Sequence, residues 1–146
     1  MGNRVKTERK MQVSKDKLFE AITDFKSYAE FVPEVVSVKV HPGASETGAQ
    51  VTFELEVVKR FQYTLEFSMK GHEEVHWKLV ESNFFKANEG SWILSANGDA
   101  TDVKYELDVA FGFLVPGWIT KKLTETSLPK MLDNFEERAK KLQSGK

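Results

Sequence analysis

The chain closes on one long helix-forming segment, and nearly everything before it reads as strand. At about 100° per residue, Leu128, Met131, Leu132, Phe135, Ala139 and Leu142 fall on one stripe, a normal core-facing face. A lone helix cannot bury such a stripe, and the remainder of the chain offers a sheet to receive it. Residues 4–13 alternate, with Val5, Thr7, Arg9, Met11 and Val13 on one side and charged or polar groups on the other. Val35 to Val40 is β-branched and strand-like. Val51, Phe53, Leu55 and Val57 share a face, and so do Phe61, Tyr63, Leu65, Phe67 and Met69. Val75, Trp77 and Leu79 follow a turn at Gly71. Phe84 to Ala96 is a further strand, with Trp92 and Leu94 on one side. Asn97-Gly98-Asp99 signals a hairpin, and Val103, Tyr105, Leu107, Val109 and Phe111 alternate after it. Period-two alternation with one polar face predicts an antiparallel sheet covered on one side only.

Between the first strand and the rest, Ser14 is placed to cap a helix carrying Leu18, Phe19, Ile22 and Phe25. Tyr28, Phe31 and Val32 extend it into a second short helix, which Pro33 ends. The predicted order is strand, two short helices, about six strands and a long helix. That is an α+β architecture in one domain over residues 1–146.

The front of the terminal helix does not continue the stripe. Traced back past Pro129, the stripe meets Ser127, Thr124, Lys121, Thr120 and Gly117, which are small or polar. Ile119 and Leu123 stand roughly 120–160° from its centre. Pro129 cannot bond the carbonyl of Glu125 and should distort the helix there. Two readings stay open. In the first, a bend and twist return Ile119 and Leu123 to the core, or Pro129 starts a separate helix; in the second, the front half faces the sheet with small groups and leaves a hollow. The second reading places a pocket beside residues 117–127, under a Pro116-Gly117-Trp118 lip.

Composition narrows the function classes. The net charge of −1 argues against a general nucleic-acid binder. Without cysteine there is no disulfide frame and no thiolate chemistry. His41, His72 and His76 are few for a metal site; His72 and His76 lack a helical HExxH context and are expected at the surface. No cofactor motif is present. No apolar run approaches the length of a membrane span, and no secretory leader is recognisable, so a cytoplasmic protein is expected.

Several segments together resemble the START-like (SRPBCC, birch-pollen-allergen-like) helix-grip superfamily, and more closely its polyketide cyclase/dehydrase and coenzyme-Q-binding branch. They are Asp24-Phe25-Lys26-Ser27-Tyr28-Ala29-Glu30-Phe31-Val32-Pro33, Glu89-Gly90-Ser91-Trp92, Thr101-Asp102-Val103-Lys104-Tyr105-Glu106-Leu107, Val115-Pro116-Gly117-Trp118 and Ser127-Leu128-Pro129-Lys130-Met131-Leu132. The resemblance covers nearly the whole chain. It implies a curved sheet wrapped around the C-terminal helix, with a cavity between them for a lipid, quinone or polyketide. It carries no universal catalytic residue, and the superfamily also includes ribosome-associated members.

An apolar cavity stabilises its ligand by removing apolar surface from water, about 25 cal/mol per Å², while a few polar groups set orientation. The lining expected from the strands is Phe53, Leu55, Phe61, Tyr63, Leu65, Phe67, Trp77, Trp92, Tyr105 and Leu107. The helix adds Thr120, Leu123, Thr124 and Ser127. Arg9 and Glu89 are the charged candidates for its rim or floor, Arg9 having an edge salt bridge as its alternative role. Phe113, Leu114, Val115 and Trp118 form an uncharged stretch that either buries itself at the helix entry or touches a membrane while a ligand passes. The leading expectation is a non-catalytic carrier, chaperone or sensor of a hydrophobic molecule. The alternatives are a cyclase, aromatase or dehydratase using Tyr63, Tyr105, Arg9 or Glu89, and a ribosome- or protein-interaction module.

Overall fold

A computed structural model describes residues 3–57, 59–112 and 115–145. Its strands are β1 (Asn3–Met11), β2 (Val35–Val40), β3 (Gly48–Val57), β4 (Lys59–Lys70), β5 (Glu74–Ser82), β6 (Phe85–Asn97) and β7 (Ala100–Phe111). All pair antiparallel in a seven-stranded sheet of order β1-β7-β6-β5-β4-β3-β2. The alternating strands therefore run as a meander from β2 to β7, and β1 closes onto β7. At the Asn97-Gly98-Asp99 hairpin, Gly98 takes φ +63°, a conformation that costs glycine nothing.

Helices α1 (Lys15–Thr23) and α2 (Tyr28–Phe31) follow β1, joined by a short 3-10 turn. Ser14 caps α1 by accepting the Lys17 N–H at 3.4 Å. The chain ends with α3 (Gly117–Lys122), one π turn over Leu123–Ser127, and α4 (Leu128–Gln143). Helix α4 buries Leu128, Leu132, Phe135 and Ala139, the centre of the expected stripe. Its far half is tied down by polar contacts. Arg9 meets Asp133 at 2.7 Å, Arg138 meets Glu30 at 2.8 Å, and Gln143 accepts the Ser14 N–H at 2.8 Å.

The π turn settles the phase of the helix. The Leu128 N–H bonds the Leu123 carbonyl, five residues back. An α turn here would set the Pro129 ring against the Glu125 carbonyl; the wider turn relieves that clash. One extra residue in a turn rotates everything before it by roughly 100°. The rotation brings Ile119 to 2% exposure and Leu123 onto the sheet side, while Gly117, Trp118 and Lys121 are exposed. The bend-and-twist reading holds for Ile119 and Leu123, the apolar residues of the helix front, which both turn to the sheet.

Candidate functional site

The inner face of the sheet and the terminal helix enclose a hollow of about 180 Å³. Strands β3 and β4 contribute Phe53, Leu55, Tyr63, Leu65 and Phe67. Trp77 comes from β5, Phe85, Asn88 and Trp92 from β6, and Tyr105, Leu107, Val109 and Phe111 from β7. Tyr28, Val32, Glu34 and Val35 close one side. Leu123, Ser127, Leu128, Met131 and Phe135 close the other. Glu34 is the one charged side chain among the described lining residues. The rings lean on one another: Trp92 packs edge-on to Tyr105 at 4.9 Å and to Phe135 at 5.2 Å, and Phe53 stacks on Tyr63 at 5.3 Å.

All three tyrosines of the chain line this space. Burial pushes the Tyr63 and Tyr105 phenols above their ordinary range, and the nearby Tyr63 adds to the effect on Tyr105. Burial raises Tyr28 as well, with Tyr105 and Tyr63 contributing. All three hydroxyls thus stay protonated at neutral pH. Tyr28 donates to the Ile22 carbonyl. Trp77 Nε1 donates to Asn88 Oδ1 at 3.0 Å, a buried bond. That indole sits against Gly90 of β6, where a Cβ would lie 2.6 Å from the Trp77 ring and 2.3 Å from the Glu106 carbonyl oxygen.

Most of the residues expected to line a cavity are brought together here, and several are not. Phe61 is buried beside the hollow with its ring 4.1 Å from Phe84. Thr120 is half-buried outside the lining. Arg9 points along the sheet edge to Asp133 instead of into the hollow. Glu89 is exposed on the outer face; side chains alternate along β6, so a residue next to inward-facing Asn88 must face out. The Thr124 side chain, Phe113 and Leu114 lie outside the described residues. Val115 is half-buried and Trp118 is 57% exposed. The hollow lies beside residues 123–135, further along the helix than expected; Ile119 is buried at 2% exposure and is not part of its lining. Asn88, Phe85, Tyr28 and Phe135 are among the wall residues that were missed, as are Glu34 and the aliphatic Val32, Val35, Val109, Leu128 and Met131 with Phe111. For Asn88 the signal was its even spacing from Trp92 and Leu94.

The histidines lie elsewhere. His72 meets Asp16 at 2.9 Å and stacks on Phe19, and His76 meets Glu74 at 2.8 Å. The hydrogen bond from His72 holds the Asp16 carboxyl below its ordinary value.

A protein-family model described as polyketide cyclase / dehydrase and lipid transport matches residues 11–136. The chain belongs to this family. The family joins cyclase and dehydrase members with lipid transport, and its helix-grip architecture is the one described above. The Zhui aromatase/cyclase from Streptomyces sp. R1128 superposes with a TM-score of 0.83 at 12% identity, over 97% of this chain and 95% of that one. A START superfamily protein from Mycobacterium smegmatis gives 0.80 at 19% identity, over 95% and 98%. A STAR-related lipid transfer protein from Xanthomonas axonopodis gives 0.79 at 14%, over 94% and 85%. These likenesses establish the shared fold. No curated protein sequence matches the chain.

Proposed function

We propose that the protein binds a small hydrophobic molecule in this hollow, as a carrier, chaperone or sensor. The observation that carries the reading is a hollow of about 180 Å³ walled mainly by aromatic and aliphatic side chains. A cavity of about 150 Å³ already takes up benzene when its walls are apolar. The volume here suits one substituted ring or a short acyl chain; a longer lipid or a polyketide requires the helix to move away from the sheet. The family's span of cyclase, dehydrase and lipid-transport members is consistent with such a ligand.

A catalytic reading needs an acid and a base within reach of one ligand atom. Among the described lining residues no imidazole or ammonium faces the hollow, and Glu34 is its single carboxylate. Binding without turnover is therefore the better-supported role. The exposed Trp118 beside half-buried Val115 gives the lip an apolar contact for a membrane surface during exchange. No helix among the described residues is long and apolar enough to cross a membrane.

Native mass spectrometry of gently purified protein, followed by organic extraction, tests the proposal. A bound hydrophobic compound, or uptake from a panel of lipids, quinones and aromatic ketones, is the expected result. A homogeneous ligand-free mass with no uptake from the panel would overturn it.

A further inference from the structure

Five polar groups lining the hollow have no hydrogen-bond partner among the described residues: the Glu34 carboxylate, the Ser127 hydroxyl and three more. The Tyr63 and Tyr105 hydroxyls and Asn88 Nδ2 make no hydrogen bond among the described residues, although no sealed polar side-chain atom lacks one. Each of these atoms therefore fronts open space, and the three residues all line the hollow. Their chemistry is not symmetrical. An indole N–H can only donate. By donating to Asn88 at 3.0 Å, Trp77 forces the amide oxygen toward itself and turns the NH2 into the hollow. Gly90 allows this, because its missing side chain is what lets the Trp77 ring lie against β6. Asn88 itself is only 8% exposed, so its amide cannot rotate out to water.

We infer that Asn88, locked by Trp77, is a one-way donor that selects neutral ligands bearing an acceptor oxygen, with the Tyr63 and Tyr105 hydroxyls completing the polar end of the site. The inference rests on the proposed binding function and specifies its ligand: a compact, uncharged, largely apolar molecule with a carbonyl or ether oxygen. A pure hydrocarbon would strip water from Nδ2 and leave that donor unpaired. A carboxylate would have to give up its own hydration in a chamber where no described side chain carries a positive charge.

The test uses acetophenone and α-methylstyrene, which share a shape and differ in a carbonyl oxygen against a methylene. The ketone is the better hydrated of the two, so the informative quantity is their affinity ratio compared between proteins. NMR titration of the full chain gives both constants. The variant replaces Trp77→Phe and Asn88→Leu together, so that neither partner is orphaned. The expected result is that the ratio moves about tenfold toward the hydrocarbon in the variant, the scale of one buried hydrogen bond. If the variant does not fold, the wild-type Asn88 side-chain amide decides: its NH2 resonances should shift on adding the ketone and stay still with the hydrocarbon. An unchanged ratio, or an unmoved amide on ketone binding, overturns the donor role and leaves hydrophobic binding intact. Failure of both probes to bind overturns this inference, while the binding function stands or falls on the extraction and panel test.

Discussion

A Cβ at Gly90 would stand 2.3 Å from a backbone oxygen and 2.6 Å from the Trp77 ring, and neither is the loose end of a flexible chain. Gly90→Ala must push the indole off the strand, which also strains its bond to Asn88. Overpacking of this kind costs about 1–3 kcal/mol. Urea unfolding should show that loss together with a moved Trp77 indole N–H resonance; an unchanged midpoint and resonance would contradict the packing described. Phe135 meets Tyr28, Phe31 and Trp92 edge-on at 5.0–5.2 Å and is 2% exposed. Phe135→Ala should cost about 3–5 kcal/mol and enlarge the hollow. The variant should therefore unfold earlier in urea and, where still folded, admit bulkier apolar probes than the wild type.

The terminal helix is two helices held in phase by one wide turn. Deleting Thr126, exposed within that turn, removes the extra residue. The helix before it then rotates by roughly 100°, Ile119 leaves the core, and the Pro129 ring meets the carbonyl now four residues back, that of Thr124. Denaturation should show a loss of about 2–5 kcal/mol, the range for emptying a buried aliphatic position. Thr126→Ala should stay within about 0.5 kcal/mol. Equal stability of the deletion and the wild type would mean that the π turn does not set the phase. At the other end, α4 is secured by Arg9–Asp133 and Arg138–Glu30. Each of these pairs has a mostly exposed carboxylate, so each contributes little, about 0–1 kcal/mol. Anchoring of α4 falls mainly to its buried stripe.

The whole molecule has an alkaline limit built into its cavity. Its three tyrosines all line the hollow, and burial raises all three phenols. Below about pH 10 they are protonated in both folded and unfolded chains, and their contribution is fully present. Above that, the unfolded chain releases phenolic protons that the folded chain keeps. Stability then falls with rising pH until the raised folded values are passed, by roughly 1.4 kcal/mol per pH unit for each tyrosine. Tyrosinate absorbance in an alkaline titration should appear only as circular dichroism reports unfolding. Ionisation with an ordinary midpoint in still-folded protein would count against the burial of these phenols.

Strand positions, their inward faces and the closing helix stripe follow from local periodicity, because a strand's alternation and a helix's turn are properties of the backbone itself. The α+β class, the capped α1 and the aromatic inner face could therefore be read from residues alone. The same rule, carried four residues back from Trp92, would have turned Asn88 inward and Glu89 outward. Arg9 shows where periodicity ends: its parity matches buried Met11, yet its long side chain reaches past the sheet edge to Asp133, a residue 124 positions away. The helix phase was undecided for a related reason. Pro129 announces a distortion, but whether it bends, breaks or widens the turn depends on what Ile119 and Leu123 gain by packing on the sheet. The direction of the Asn88 amide depends on an indole from the neighbouring strand. Local order thus came from the covalent chain, while the hollow and its polar end came from contacts that exist only after distant segments meet.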